Sequence, residues 1–156
     1  MRKVLSFCFL FLMLVGCKEE TPYVITCSDG AVPIEQFSGR FTSVFRFKND
    51  IDSLKQRKFV IRNEIEWRSY IEGSSFGGLP ELDFERKTII LGRKFHSTNS
   101  PLVEQNIVSN CESKELTYHV TMKEGNEAVN GNTYYYAIIP KISDDTKVNV
   151  VVTYKE

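Results

Sequence analysis

Leu116-Thr117-Tyr118-His119-Val120-Thr121-Met122-Lys123 places a large apolar side chain at every second position, with threonine, histidine and lysine in between. A period of two is that of a β-strand, whose successive side chains point to opposite faces, so the stretch predicts a strand burying Leu116, Tyr118, Val120 and Met122. His119 then falls on the polar face. The same alternation recurs at Phe41, Ser43, Phe45 and Phe47, ended by Asn49-Asp50, and at Val148, Val150, Val152 and Tyr154 near the C-terminus. Thr88-Ile89-Ile90-Leu91-Gly92 is different: a short continuous run rich in β-branched residues predicts a strand buried on both faces near the centre of a sheet. Residues 133–139 form an aromatic strand stopped by Pro140, onto which the C-terminal strand is expected to hairpin.

Weaker signals fill the gaps. Residues 23–27 are β-prone and lead into a turn at Ser28-Asp29-Gly30, while Lys58-Phe59-Val60-Ile61-Arg62 reads as a short strand. Asn63 with Glu66 three residues on is a helix start, and Trp67 and Ile71 at i and i+4 supply one apolar stripe, so a helix is expected over 64–72 with Gly73 as its stop. Residues 74–78 are expected to be a flexible loop, and the polar stretch 93–101 a loop containing His96. Glycine and asparagine mark turns at 124–126 and 130–132. The expected fold is mainly β, an antiparallel sandwich-like or partly closed sheet with one short helix, α+β being the alternative.

The N-terminus gives an address. Arg2 and Lys3 precede an apolar run over residues 4–15, the charge-then-hydrophobe layout of an export signal and too short for the roughly 18 to 20 residues of a membrane span. Leu14-Val15-Gly16-Cys17 closes that run and resembles the lipobox of bacterial lipoproteins. The resemblance implies diacylglycerol on the Cys17 thiol, cleavage just before it, and acylation of the new amine. Two or more acyl chains anchor a protein stably to a membrane. Residues 1–16 are then a signal peptide, 17–26 a lipid-anchored tether and 27–156 a single β-rich domain. The signal removes two basic residues and no acids, so the mature chain carries 18 basic and 20 acidic residues, a net charge of −2. Nothing in that balance attracts nucleic acid. Cys8 leaves with the signal and Cys17 carries lipid, so Cys27 and Cys111 remain as one pair for a disulfide in an oxidising compartment, or as two separate buried thiols. Bonded, they close a loop of about 85 residues, valued at roughly 4.5 kcal/mol by chain entropy.

Further resemblances concern placement. Lys18-Glu19-Glu20 is similar to the signal that sends lipoproteins to the surface of the outer membrane in one Gram-negative phylum, and Asp52-Ser53-Leu54 resembles an O-glycosylation acceptor of the same phylum, making Ser53 a candidate glycan site. The pattern from Phe59 to Lys141 resembles the PrcB-like family, named after a subunit of a secreted protease complex. It is carried by Phe59-Val60-Ile61 before Glu66-Trp67, by Pro80-Glu81-Leu82-Asp83-Phe84, by Ile89-Ile90-Leu91, and by Tyr136-Ala137-Ile138-Ile139-Pro140-Lys141. It departs at 93–103, where Phe95, His96 and Pro101 replace a glycine-glycine-tyrosine-like turn. The resemblance implies a noncatalytic role docking or stabilising a partner protein outside the cytoplasm.

Catalytic signals are weak. His96 and His119 are the two histidines; His96 lies among Ser97, Thr98 and Ser100 without a Gly-x-Ser-x-Gly elbow, and neither His-Glu-x-x-His nor Cys-x-x-Cys occurs. Asp83 reads as a turn cap with Glu81 and Glu85 in solvent, and Asp144-Asp145 as a turn rather than a calcium loop. The chain is therefore expected to be no enzyme and to use no metal or cofactor. In Tyr134-Tyr135-Tyr136, alternation separates Tyr135 from its neighbours, and an exposed Tyr135 ring is a candidate for stacking on a partner or a sugar. An anchored protein-binding lipoprotein is the expected role, with a glycan- or ligand-binding surface lipoprotein as the alternative.

Overall fold

The computed structural model describes residues 25–37, 45–48, 56–73 and 79–156. In chain order these form β1 (Gly30–Ala31), β2 (Phe45–Phe47), β3 (Arg57–Ile61), α1 (Glu64–Tyr70), β4 (Ile71–Gly73), β5 (Lys87–His96), β6 (Leu102–Asn110), β7 (Glu115–Lys123), β8 (Gly131–Pro140) and β9 (Lys147–Lys155). The hydrogen-bonded orders are β3-β5-β8, β1-β6-β7-β9 and the pair β2-β4. Every pairing is antiparallel except β7 with β9, which is parallel. The fold is mainly β and sandwich-like, with one short helix and no closed sheet among the described residues.

The two-sided run at Ile89-Ile90-Leu91 explains the layering. Ile89 and Leu91 face one core with Ile61, Tyr136, Ile138 and, from the other side, Phe47, Trp67 and Ile71. Ile90 faces a second core with Tyr135, Ala137 and Ile139, closed by Ile107, Leu116, Tyr118, Val120 and Met122. The sheet β3-β5-β8 is thus a middle layer between α1 with β2-β4 and the four-stranded sheet. β7 is buried at Leu116, Tyr118, Val120 and Met122 and only half-buried at the residues between, as its period predicts. Each such side chain contributes about 1.5 to 3 kcal/mol of gross hydrophobic stabilisation.

Asn63 caps α1, its Oδ1 accepting the Glu66 N–H at 2.9 Å, and the Glu66 carboxylate accepts the Arg62 N–H at 2.7 Å. The helix ends at Tyr70 rather than 72. Ile71 is extended (φ −121°, ψ 144°) and pairs with Phe47, because β4 completes a ladder with β2 while Ile71 stays fully buried.

Three other expectations are corrected. Residues 93–96 are strand rather than loop, since β5 continues its register against β8 from Arg93↔Tyr134 to His96↔Gly131. β6 was not expected at all: a register shift between Leu102 and Glu104 breaks its period, and its inward Gln105 is polar, accepting the Tyr118 hydroxyl proton. The C-terminal strand does not hairpin onto β8. One side of β8 is taken by β5 and the other by a bridge from Glu35 to Ile138, so β9 crosses to the other sheet and runs parallel to β7. Residues 25–28 form no strand; where a turn was expected the chain bends at Asp29, and Gly30, at φ +100°, opens β1. Of the strand expected around Phe41 to Lys48, Phe45–Phe47 is seen; residues 41–44 and the loop 74–78 lie outside the described residues.

Candidate functional site

The end of the sandwich nearest the β6–β7 turn carries a concavity among the described residues. Cys27 and Cys111 are disulfide-bonded, their Cα atoms 5.7 Å apart, and the Asp29 carboxylate accepts the Cys111 N–H at 2.6 Å. From there the N-terminal segment runs along both sheets in turn. Gly30 and Ala31 pair with Ser109 and Val108 of β6, Val32 N–H donates to Ile107 C=O at 2.9 Å, and Glu35 bridges to β8 while its carboxylate pairs with the Lys87 ammonium. This strap covers the seam between β6 and β8.

The turn after β6 has Lys114 at φ +52°, a left-handed conformation that costs a non-glycine residue about 1 kcal/mol or more. Its ammonium reaches the Asp145 carboxylate at 2.6 Å, and the Ser143 hydroxyl donates to the same carboxylate. The hydrogen bond from Lys114 and then that from Ser143 hold the Asp145 carboxyl below its ordinary range; the same bond, aided by Asp145's charge, raises Lys114. The pair links the β6–β7 turn to the loop before β9. Between strap, turn and loop opens a cleft of about 480 Å³, with Val32, Pro33, Leu116, Pro140 and Ile142 among its apolar walls and Ser28, Ser109 and Thr146 among its polar ones.

The sequence-derived candidates fall as follows. Cys27 and Cys111 are bonded and both line the cleft. Tyr135 is no exposed platform: it is fully buried, edge-on to Tyr118 at 5.8 Å, because the four-stranded sheet covers the face that was expected to be open. Cys17, Lys18 to Glu20 and Ser53 lie outside the described residues. Asp83 caps the turn into β5, accepting the Glu85 N–H at 3.0 Å, with Glu81 and Glu85 exposed. Asp144 and Asp145 sit in a turn. His119 is half-buried on the outer face of β7.

His96 is engaged structurally. The Thr133 hydroxyl donates to the Ser100 carbonyl at 2.6 Å, so it must accept from His96 Nε2, 2.7 Å away, which makes that nitrogen the protonated one. The Ser100 hydroxyl bonds Thr98 instead, at 2.9 Å, so no serine nucleophile is paired with this imidazole among the described residues. Nor do any three histidine, cysteine or carboxylate side chains there gather in a way that could hold a metal ion, and no helix there is long and apolar enough to cross a membrane. Residue spacing does not reveal the cleft. Lys114, Asp145 and the strap are more than thirty residues apart, and a lysine in a left-handed turn has no sequence signature. Comparison with models of known protein families, with curated proteins and with solved structures returned no match.

Proposed function

We propose that the protein is an exported, membrane-anchored, noncatalytic lipoprotein that binds or stabilises another extracytoplasmic protein, with β9 as the docking edge. One observation carries the reading. β9 is nine residues long, pairs with β7 on one side, and has no strand on its other side among the described residues. Natural sandwiches cover long edges, and this one covers the β6–β8 seam with its strap; an edge left open presents backbone donors and acceptors to an extended segment of a partner. Val151, Thr153 and Tyr154 are exposed along it. The export signal, the lipobox-like Cys17, the disulfide and the PrcB-like pattern over Phe59 to Lys141 are consistent with the same role. For the alternative, a glycan- or ligand-binding surface lipoprotein, the buried Tyr135 supplies no stacking platform.

The test is site-specific photocrosslinking of the full-length lipoprotein in intact cells. A crosslinker at Thr153 is expected to trap a discrete protein species that the same group at exposed Glu81 does not. Identical background from both positions would refute edge docking. Anchoring is tested separately: Cys17→Ala should abolish lipid labelling and release the protein from membranes.

A further inference from the structure

We propose that the cleft beside the Cys27–Cys111 disulfide is a binding site for a neutral, mostly apolar small molecule bearing one or two hydroxyl, ester or amide groups. This is independent of the protein partner on β9, because neither Thr153 nor any other residue of that strand lines the cleft.

Size, walls and charge each bear on the ligand. A cleft of about 480 Å³ lies within the range of small-molecule sites. That space suits a compact amphiphile and is far too small for a folded partner. The floor is apolar: Leu116 is buried, and Val32 and Ile142 pack against the same second core. The cations at its rim are already engaged. Lys114 is paired with Asp145, and the Lys141 ammonium donates to the carbonyls of Arg62 and Phe84. A carboxylate or phosphate ligand would have to share these ammonium groups with the oxygens they already hold and, at Lys114, sit beside the Asp145 carboxylate, whereas a neutral one meets no such repulsion. Hydroxyl groups remain to orient it: among the described residues Ser109 Oγ meets the Cys27 sulfur at 3.4 Å, and Thr146 bonds Ser143 at 2.9 Å. The disulfide ties the strap to the β6–β7 turn and so holds one side of the cleft in place, which lowers the ordering cost at binding.

The probe is N-phenyl-1-naphthylamine, a neutral apolar dye that brightens on leaving water. It is titrated into the mature chain carrying Cys17→Ser and purified without detergent, since detergent is itself an amphiphile. The acyl group is not needed for the fold, because both cores are built within residues 32–152. Saturable brightening is expected, weakened at least about tenfold by Ser109→Trp, which fills the cleft, and likewise by Ser28→Trp on the exposed strap should the first variant misfold. Lys114→Met with Asp145→Asn, which removes both rim charges together, should leave affinity within about twofold. Absence of saturable brightening would overturn the site. Undiminished binding in folded Ser109→Trp and Ser28→Trp would place the dye elsewhere, and loss of binding in the uncharged double variant would overturn the neutral-ligand class.

Discussion

Gly92→Ala is expected to destabilise the protein by about 2 kcal/mol, for reasons of space rather than backbone conformation. Gly92 lies opposite Tyr135 in the β5–β8 ladder, and a methyl group there would stand 2.3 Å from the ring's Cζ and Oη and 2.6 Å from Cε2. Carbon atoms sit at about 3.5 to 4.0 Å at their optimum, so the ring must move by more than about 1 Å. It has nowhere to go, being fully buried and edge-on to Tyr118. Overpacking of this kind costs about 1 to 3 kcal/mol, and the upper end applies because neighbour and ring are both enclosed. Alanine returns about 0.5 to 1 kcal/mol of backbone entropy relative to glycine, which leaves a net loss of about 2. In a chain of this size that is a Tm lower by roughly 8 °C. The assay is urea unfolding followed by Trp67 fluorescence and far-UV circular dichroism, with the disulfide kept oxidised. A double-mutant cycle supplies the control. Tyr135→Leu alone should cost about 3 kcal/mol through its cavity, and Gly92→Ala added to it should then cost nothing. If Gly92→Ala is within about 0.5 kcal/mol of wild type, or if the two changes are additive, the steric account is refuted.

Two further outcomes are expected. Paired Cys27→Ser and Cys111→Ser should lower stability by up to roughly 4.5 kcal/mol, since the bond spans a sequence separation of 84, and an unchanged urea midpoint would show that it constrains little. Alkaline pH should also destabilise the fold: burial raises the phenol pKa of Tyr118, Tyr135 and Tyr136 above the ordinary 10.0. Above pH 10 the unfolded chain therefore loses tyrosine protons that the native state keeps, so this contribution is complete below that pH and declines as pH rises towards the raised folded values. Unfolding midpoints taken either side of pH 10, with tyrosinate absorbance recorded in parallel, check it; a flat profile would contradict it.

The parts of the fold that were legible have local causes. β7 shows its buried face in the alternation of Leu116, Tyr118, Val120 and Met122, and β5 shows its two buried faces in Ile89-Ile90-Leu91. The start of α1 was readable because a cap is a contact between residues three apart. Its end was not, because Ile71 answers to Phe47 across a ladder rather than to its own helix. β6 was illegible for a related reason: a bulge shifts its inward positions, and the inward Gln105 is compensated by a tyrosine from the neighbouring strand.

The candidate site divides in the same way. If the export signal takes Cys8 and the lipobox Cys17, the sequence leaves Cys27 and Cys111 as one disulfide or as two separate thiols, and the fold bonds them. The alternation in Tyr134-Tyr135-Tyr136 correctly separated Tyr135 from its neighbours but left open whether its face would be covered. By itself, then, the sequence determined the strands with a clean period, among them β7 and the centre of β5, and the faces of those strands, because periodicity and residue type act within a few positions. Only the tertiary structure decided that β9 runs parallel to β7, that a second sheet buries Tyr135, and that the strap, turn and loop enclose a cleft. Those outcomes depend on which distant segments compete for the same sheet edge and the same apolar face, and no local pattern encodes that competition.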